Sequence, residues 1–127
     1  MAEKVQVAFD TLKKTFRSRK TRNIEWRKEQ LKSLLKGFNE MHGEICHACS
    51  EDLGREAFYT ELAEIGGCKQ AIHWNLQNID QMTKDECIDT ELIFAPAKTW
   101  VKYEPLGVCA IYGTWNYPIG LCIKPLI

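Results

Sequence analysis

A chain of 127 residues, 45% hydrophobic and 27% charged, has the composition of a globular protein with material for one ordinary domain. Lys plus Arg equals Asp plus Glu at 17 each, so no net field draws the chain to nucleic acid or to an anionic membrane. No stretch reaches the roughly 20 apolar residues of a membrane span, and the opening Met1 to Val7 lacks the apolar run of a secretory signal. A cytoplasmic protein is expected, or a cytosol-facing one if an anchor lies beyond these residues.

Val5, Ala8, Phe9, Leu12 and Phe16 recur at helical spacing and predict an amphipathic helix over residues 3–17. The basic cluster from Lys13 to Lys28 has, beyond Phe16 of that apolar stripe, only Trp26 as an aromatic neighbour. It reads as a solvated helix face and loop rather than a phosphate-binding surface. Asn23 is placed to cap a second, longer helix whose stripe runs Ile24, Leu31, Leu34, Leu35, Phe38, Met41, Ile45 and Cys49. Gly37 and Gly43 weaken that helix, and Gly54 is a left-handed stop. A third helix is predicted over 56–82, with Phe58, Leu62, Ile65, Ile72, Leu76 and Ile79 on its apolar face and Gly66-Gly67 as a weak point. Six cysteines in a chain with no secretory route read as reduced, mostly buried thiols.

Periodicity fades from Thr83 to Pro96, and the pattern then changes to strands. Residues 98–104 alternate with period two, Pro105-Leu106-Gly107 turns the chain, and Val108 to Tyr112 is the continuous apolar run of a buried strand. The expected fold class is α/β, divided into a helical part over residues 1–97 and, over residues 98–127, a hairpin, a first core strand and the start of a helix. The last of these is interrupted at Ile127, where apolar residues follow one another with nothing to cover them.

A buried strand running through Gly113-Thr114-Trp115-Asn116-Tyr117-Pro118 into a helix is a junction at which open α/β sheets place ligands. Gly113 permits close approach to the backbone, and Pro118 suits a position at or before the first helical turn. The Asn116 amide is an uncharged donor suited to an oxygen that becomes negative only in a transition state. An asparagine in such a turn can equally cap the helix or bond its own backbone.

Pro96-Ala97-Lys98-Thr99-Trp100-Val101, Glu104-Pro105-Leu106-Gly107-Val108 and Gly113 to Pro118, in this order and spacing, resemble the class 3 aldehyde dehydrogenases, the group that includes fatty aldehyde dehydrogenase. Lys20-Thr21-Arg22, Arg27 to Leu34, Asp52-Leu53-Gly54-Arg55 and Thr60-Glu61-Leu62 are similar to that family's opening helices, so the likeness covers nearly the whole chain. The resemblance implies the N-terminal part of a Rossmann-type cofactor domain and NAD- or NADP-dependent oxidation of aldehydes, medium- or long-chain or aromatic ones among them, to carboxylic acids. It implies that Asn116 stabilises the oxyanion formed when a cysteine thiolate attacks the aldehyde. It also implies that backbone groups of Gly113, Thr114 and Trp115 border the dinucleotide, that Tyr117 lies by the aldehyde's path, and that the intact enzyme is a homodimer.

Thr114 stands where the family usually has a small apolar residue or proline. The family's glycine-rich turn, catalytic glutamate and nucleophilic cysteine fall after Ile127. None of the six cysteines aligns with the nucleophile, Cys122 included, and Lys124-Pro125 is not the family's cofactor-binding Lys-Pro. The 127 residues alone are therefore expected to be inactive and to hold no NAD or NADP.

Two other readings compete. His42, Cys46 and Cys49, with His47 beside them, carry zinc-like spacing, but ligands along one helix side do not close a tetrahedron, so no metal is expected. Alternatively, the helices form a non-catalytic interaction protein or an inactive truncated isoform. The uncovered apolar residues from Ile119 to Ile127 weigh against a self-sufficient adaptor.

Overall fold

A computed structural model of the chain describes residues 2–127. Helix α1 spans Ala2–Arg17. Val5, Phe9 and Leu12 of its apolar stripe remain exposed, whereas Phe16 is half-buried. A 3₁₀ turn at Lys20–Arg22 leads to α2, Ile24–Glu40. Asn23 caps α2 as its sequence position predicts: its Oδ1 accepts from the Trp26 N–H at 2.9 Å, satisfying one of the donors that a helix start leaves free.

The single long helix expected after Asn23 is two helices. Met41 leaves helical geometry at φ −94°, ψ 8°, and α3 begins at His42 and runs to Leu53. The break lies between Gly37 and Gly43, the two positions at which helical propensity is lowest. Gly54 then stops α3 in the left-handed region at φ 62°, and its N–H reaches back to the Ser50 carbonyl at 2.9 Å.

The third predicted helix is present as one rod in three parts: α4 at Ala57–Thr60, a π-helical turn at Glu61–Ile65, and α5 at Gly66–Met82. The Gly66 N–H donates to the Glu61 carbonyl five residues earlier, so the irregularity ends at the first glycine of the predicted weak point. A Cβ at Gly66 would sit 2.9 Å from that carbonyl oxygen.

The core joins Leu31 and Phe38 of α2, Cys46 of α3, and Ile65, Cys68 and Ile72 of the rod. Leu34, Leu35, Ile45 and Leu76 pack against it, as do Ile119, Ile123 and Ile127 from the far end of the chain. Each large side chain fully removed from water there contributes about 1.5–3 kcal/mol. Between α2 and α5, Lys28 Nζ bonds Asp80 at 2.8 Å and Glu25 at 2.9 Å.

The strand region departs most from expectation. Strand β1, Glu86–Ile88, pairs antiparallel with β2, Thr99–Val101, in the register Glu86 with Val101, Cys87 with Trp100 and Ile88 with Thr99. The expected hairpin between residues 98–104 and 108–112 does not form, and Val108 to Tyr112 has no regular secondary structure and no strand partner among the described residues. Tyr112 is 93% exposed. A continuous apolar run makes a buried strand only when neighbours take its hydrogen bonds and cover both faces, and among the described residues none does. A parallel Rossmann sheet is thus absent from residues 2–127, whose sheet is the single two-stranded pair. Helix α6, Gly120–Leu126, closes the chain.

Candidate active-site turn

Residues 113–119 lead into α6, and three local features hold their shape. Gly113 lies against Cys122: a Cβ on it would collide with the Cys122 sulfur, so a larger residue would require that side chain to move. Pro118 stands in the turn just before α6, where a missing N–H leaves no helical bond unmade. Thr114 Oγ1 donates to Asn116 Oδ1 at 2.6 Å. With its oxygen held in this way, the Asn116 amide keeps its N–H₂ group as the donating side.

Gly113, Thr114, Trp115, Asn116 and Tyr117, the five residues singled out from the sequence, are all exposed on this one turn. Trp115 is 80% exposed. Tyr117 borders a depression of about 250 Å³ that Ala63, Gly120, Leu121 and Lys124 complete.

Beneath the turn is a charged pair that sequence reasoning did not single out. Glu64, in the π-helical turn, is fully buried. One of its oxygens accepts from Arg55 Nη1 at 2.6 Å. The other accepts the backbone N–H groups of Ile119 at 3.1 Å and Gly120 at 2.6 Å. A buried carboxylate is tolerated only with such donors, here one guanidinium and two backbone amides at the start of α6 that have no earlier helical carbonyl to bond. Arg55 reaches further: its Nη2 donates to the Asn116 carbonyl at 2.5 Å, and its guanidinium lies 5.0 Å from the Tyr117 ring centre. The sequence offers only the four-residue spacing of Thr60, Glu64, Cys68 and Ile72, which does not reveal what Glu64 bonds.

The histidines and cysteines of α3 are arranged differently. His42 Nε2 is 2.7 Å from Glu61 Oε2, the Cys46 sulfur is 4.0 Å from the same nitrogen, and His47 pairs with Glu51 at 3.5 Å. Among the described residues no three His, Cys, Asp or Glu side chains converge as metal ligands. Burial pushes the Cys46 thiol up from its ordinary range, helped by Glu61. Burial does the same to Cys68, against the opposing pull of Lys124. Raised thiols are poor nucleophiles. No helix among the described residues is long and apolar enough to cross a membrane.

Comparison with known proteins gives this geometry a context. The profile of the aldehyde dehydrogenase family matches residues 1–127. The chain is 36% identical over 123 residues to aldehyde dehydrogenase family 3 comG of Dictyostelium discoideum, covering 97% of this chain and 26% of that protein. It is 33% identical to the 4,4'-diaponeurosporen-aldehyde dehydrogenase of Staphylococcus aureus, covering 97% and 27%. The substrate-bound structure of Staphylococcus aureus AldH superposes with a TM-score of 0.93 at 33% identity, over 96% of this chain and 27% of that one. The chain therefore spans about a quarter of the length of the relatives it matches. With its full length matched by the family profile, the chain belongs to the aldehyde dehydrogenase family and is similar to that family's class 3 members.

Proposed function

We propose that residues 1–127 supply the oxyanion-donating turn, and its helical support, to an NAD- or NADP-dependent oxidation of aldehydes to carboxylic acids. The observation that carries this reading is the Asn116 amide, exposed on the turn before α6 with its oxygen occupied by Thr114 and its N–H₂ left to donate. Such a donor stabilises an oxygen whose charge grows as a thiolate adds to the aldehyde carbon, and it does so without carrying a charge of its own. Tyr117, beside its depression, borders the aldehyde's approach.

Gly113, Thr114 and Trp115 fit the edge of a dinucleotide site in that they are exposed and Gly113 carries no side chain. When bound, NAD(P)⁺ takes up the hydride that leaves the aldehyde carbon. The nucleophilic thiolate and the base that releases the acid come from outside this segment, in keeping with its quarter share of the relatives' length. The resemblance further implies that the complete protein is a homodimer.

Two measurements test the proposal. The 127-residue protein mixed with NAD⁺ or NADP⁺ and a long-chain aldehyde is expected to give no absorbance at 340 nm; steady production would show that the thiolate lies within the segment. Joining residues 1–127 to the remainder of the S. aureus enzyme, whose matching segment superposes with a TM-score of 0.93, is expected to provide a complete catalyst. There Asn116→Ala is expected to lower kcat about 10²–10³-fold, as loss of one oxyanion donor does, with coenzyme KM nearly unchanged. Undiminished turnover would remove Asn116 from the mechanism.

A further inference from the structure

We propose that Arg55 and Glu64 are positioning residues for Asn116: a buried ion pair in the helical scaffold that fixes the turn from below and so aims the donor amide, without touching substrate. This rests on the assignment of Asn116 as oxyanion donor. The pair grips the turn at three separate points, the Asn116 carbonyl, the Tyr117 ring and the paired N–H groups of Ile119 and Gly120. Those points begin at the carbonyl of Asn116 itself and continue to Gly120, so they anchor the chain on the C-terminal side of the Asn116 side chain. The side chain itself has only the exposed Thr114 contact, which sets the amide's orientation but not its location.

The location comes from below. Glu64 is fully buried and the Arg55 side chain only 18% exposed, so the bonds of Glu64 to Arg55, Ile119 and Gly120 are shielded from water and salt, and Arg55 carries that anchorage out to the exposed Asn116 carbonyl. Neither side chain has a free face toward the depression beside Tyr117 that would bind an aldehyde: its walls are Ala63, Tyr117, Gly120, Leu121 and Lys124. Their effect on chemistry is therefore indirect, through an oxygen-binding geometry for which a displacement of about 1 Å costs up to about 10²-fold.

Hydrogen–deuterium exchange on the protein as expressed reads the turn directly. Arg55→Met and Glu64→Gln are expected to speed exchange over residues 115–120 at least about 10-fold, as loss of a shielded bond network does, with residues 24–40 unchanged. Arg55→Lys, which retains a charged donor, is expected to stay close to wild type. Unchanged exchange over 115–120 in Arg55→Met overturns the proposal, and that variant serves even if Glu64→Gln does not fold.

Kinetics in the joined enzyme separate positioning from general support. Arg55→Met is expected to lower kcat about 10-fold or more with aldehyde and coenzyme KM little changed, Arg55→Lys to recover most of it, and Arg55→Met to add nothing in an Asn116→Ala background. Fully additive losses overturn the proposal, because they place the effect of Arg55 outside Asn116. Asn116→Ala without effect overturns the donor assignment instead, and the exchange experiment still decides whether the pair holds the turn.

Discussion

At the scale of single residues the thiols divide by burial. Cys46, Cys49 and Cys68 are buried, Cys122 is half-buried, and Cys87 and Cys109 are exposed, so the expectation of mostly buried thiols holds for only part of the set. Burial disfavours the thiolate and raises Cys46 and Cys68. In the folded protein at pH 8, iodoacetamide is expected to modify Cys87 and Cys109 first and Cys68 only on unfolding, as peptide mass spectrometry would show. Since the folded state holds these two protons more tightly than the unfolded chain does, their stabilising contribution is complete below the ordinary thiol value of 9.0. It is lost as pH rises above that value through the raised folded values. Melting temperature is therefore expected to fall as pH rises above the ordinary thiol value of 9.0, and less steeply in Cys68→Ala. An equal fall in the variant would assign the alkaline loss to other groups.

At the scale of elements, two glycines in helical positions are predicted to behave oppositely. Nothing lies within 4 Å of a Cβ built on Gly37, so Gly37→Ala is expected to stabilise α2 by about 0.5–1 kcal/mol. At Gly66 the same methyl meets the Glu61 carbonyl at 2.9 Å; the clash with backbone outweighs the gain in propensity and is expected to destabilise by about 1–3 kcal/mol. Urea titration of both variants checks the difference in sign. These elements also show what a sequence can disclose. The Asn23 cap and the Gly54 stop were legible because each is decided by one residue's own chemistry and φ. The break at Met41 was not, because the apolar stripe continues across it. Nor was β1, whose Glu-Cys-Ile has no alternation and is defined by its partner Thr99–Val101. Val108 to Tyr112 misled for the converse reason: its composition specifies a buried strand, but a strand also needs a neighbour. At the turn, Gly113 to Tyr117 could be singled out from the motif, whereas Arg55 and Glu64 could not, since 61 and 55 residues separate Arg55 from Asn116 and Glu64 from Ile119.

At the scale of the whole molecule the apolar surface is unevenly disposed. One compact cluster joins α2, α3, α5 and α6, while Leu92, Ile93, Leu106, Tyr112 and Trp115 are each 80% exposed or more. Exposed apolar side chains on that scale predict association. The isolated 127-residue protein is expected to enhance 1-anilinonaphthalene-8-sulfonate fluorescence and to sediment as a concentration-dependent mixture. A strictly monomeric species without dye binding would mean that these side chains find cover within the chain.

Because the carboxylate gripping the start of α6 projects from the irregular turn of the central rod, the placing of the proposed donor amide is inherited from a helix whose next turns carry Cys68 and Ile72 into the core. Bending that rod, even by a substitution well away from the motif, would be felt as misalignment of the donor. Damage of that kind slows conversion of reactant already bound while leaving its capture largely intact.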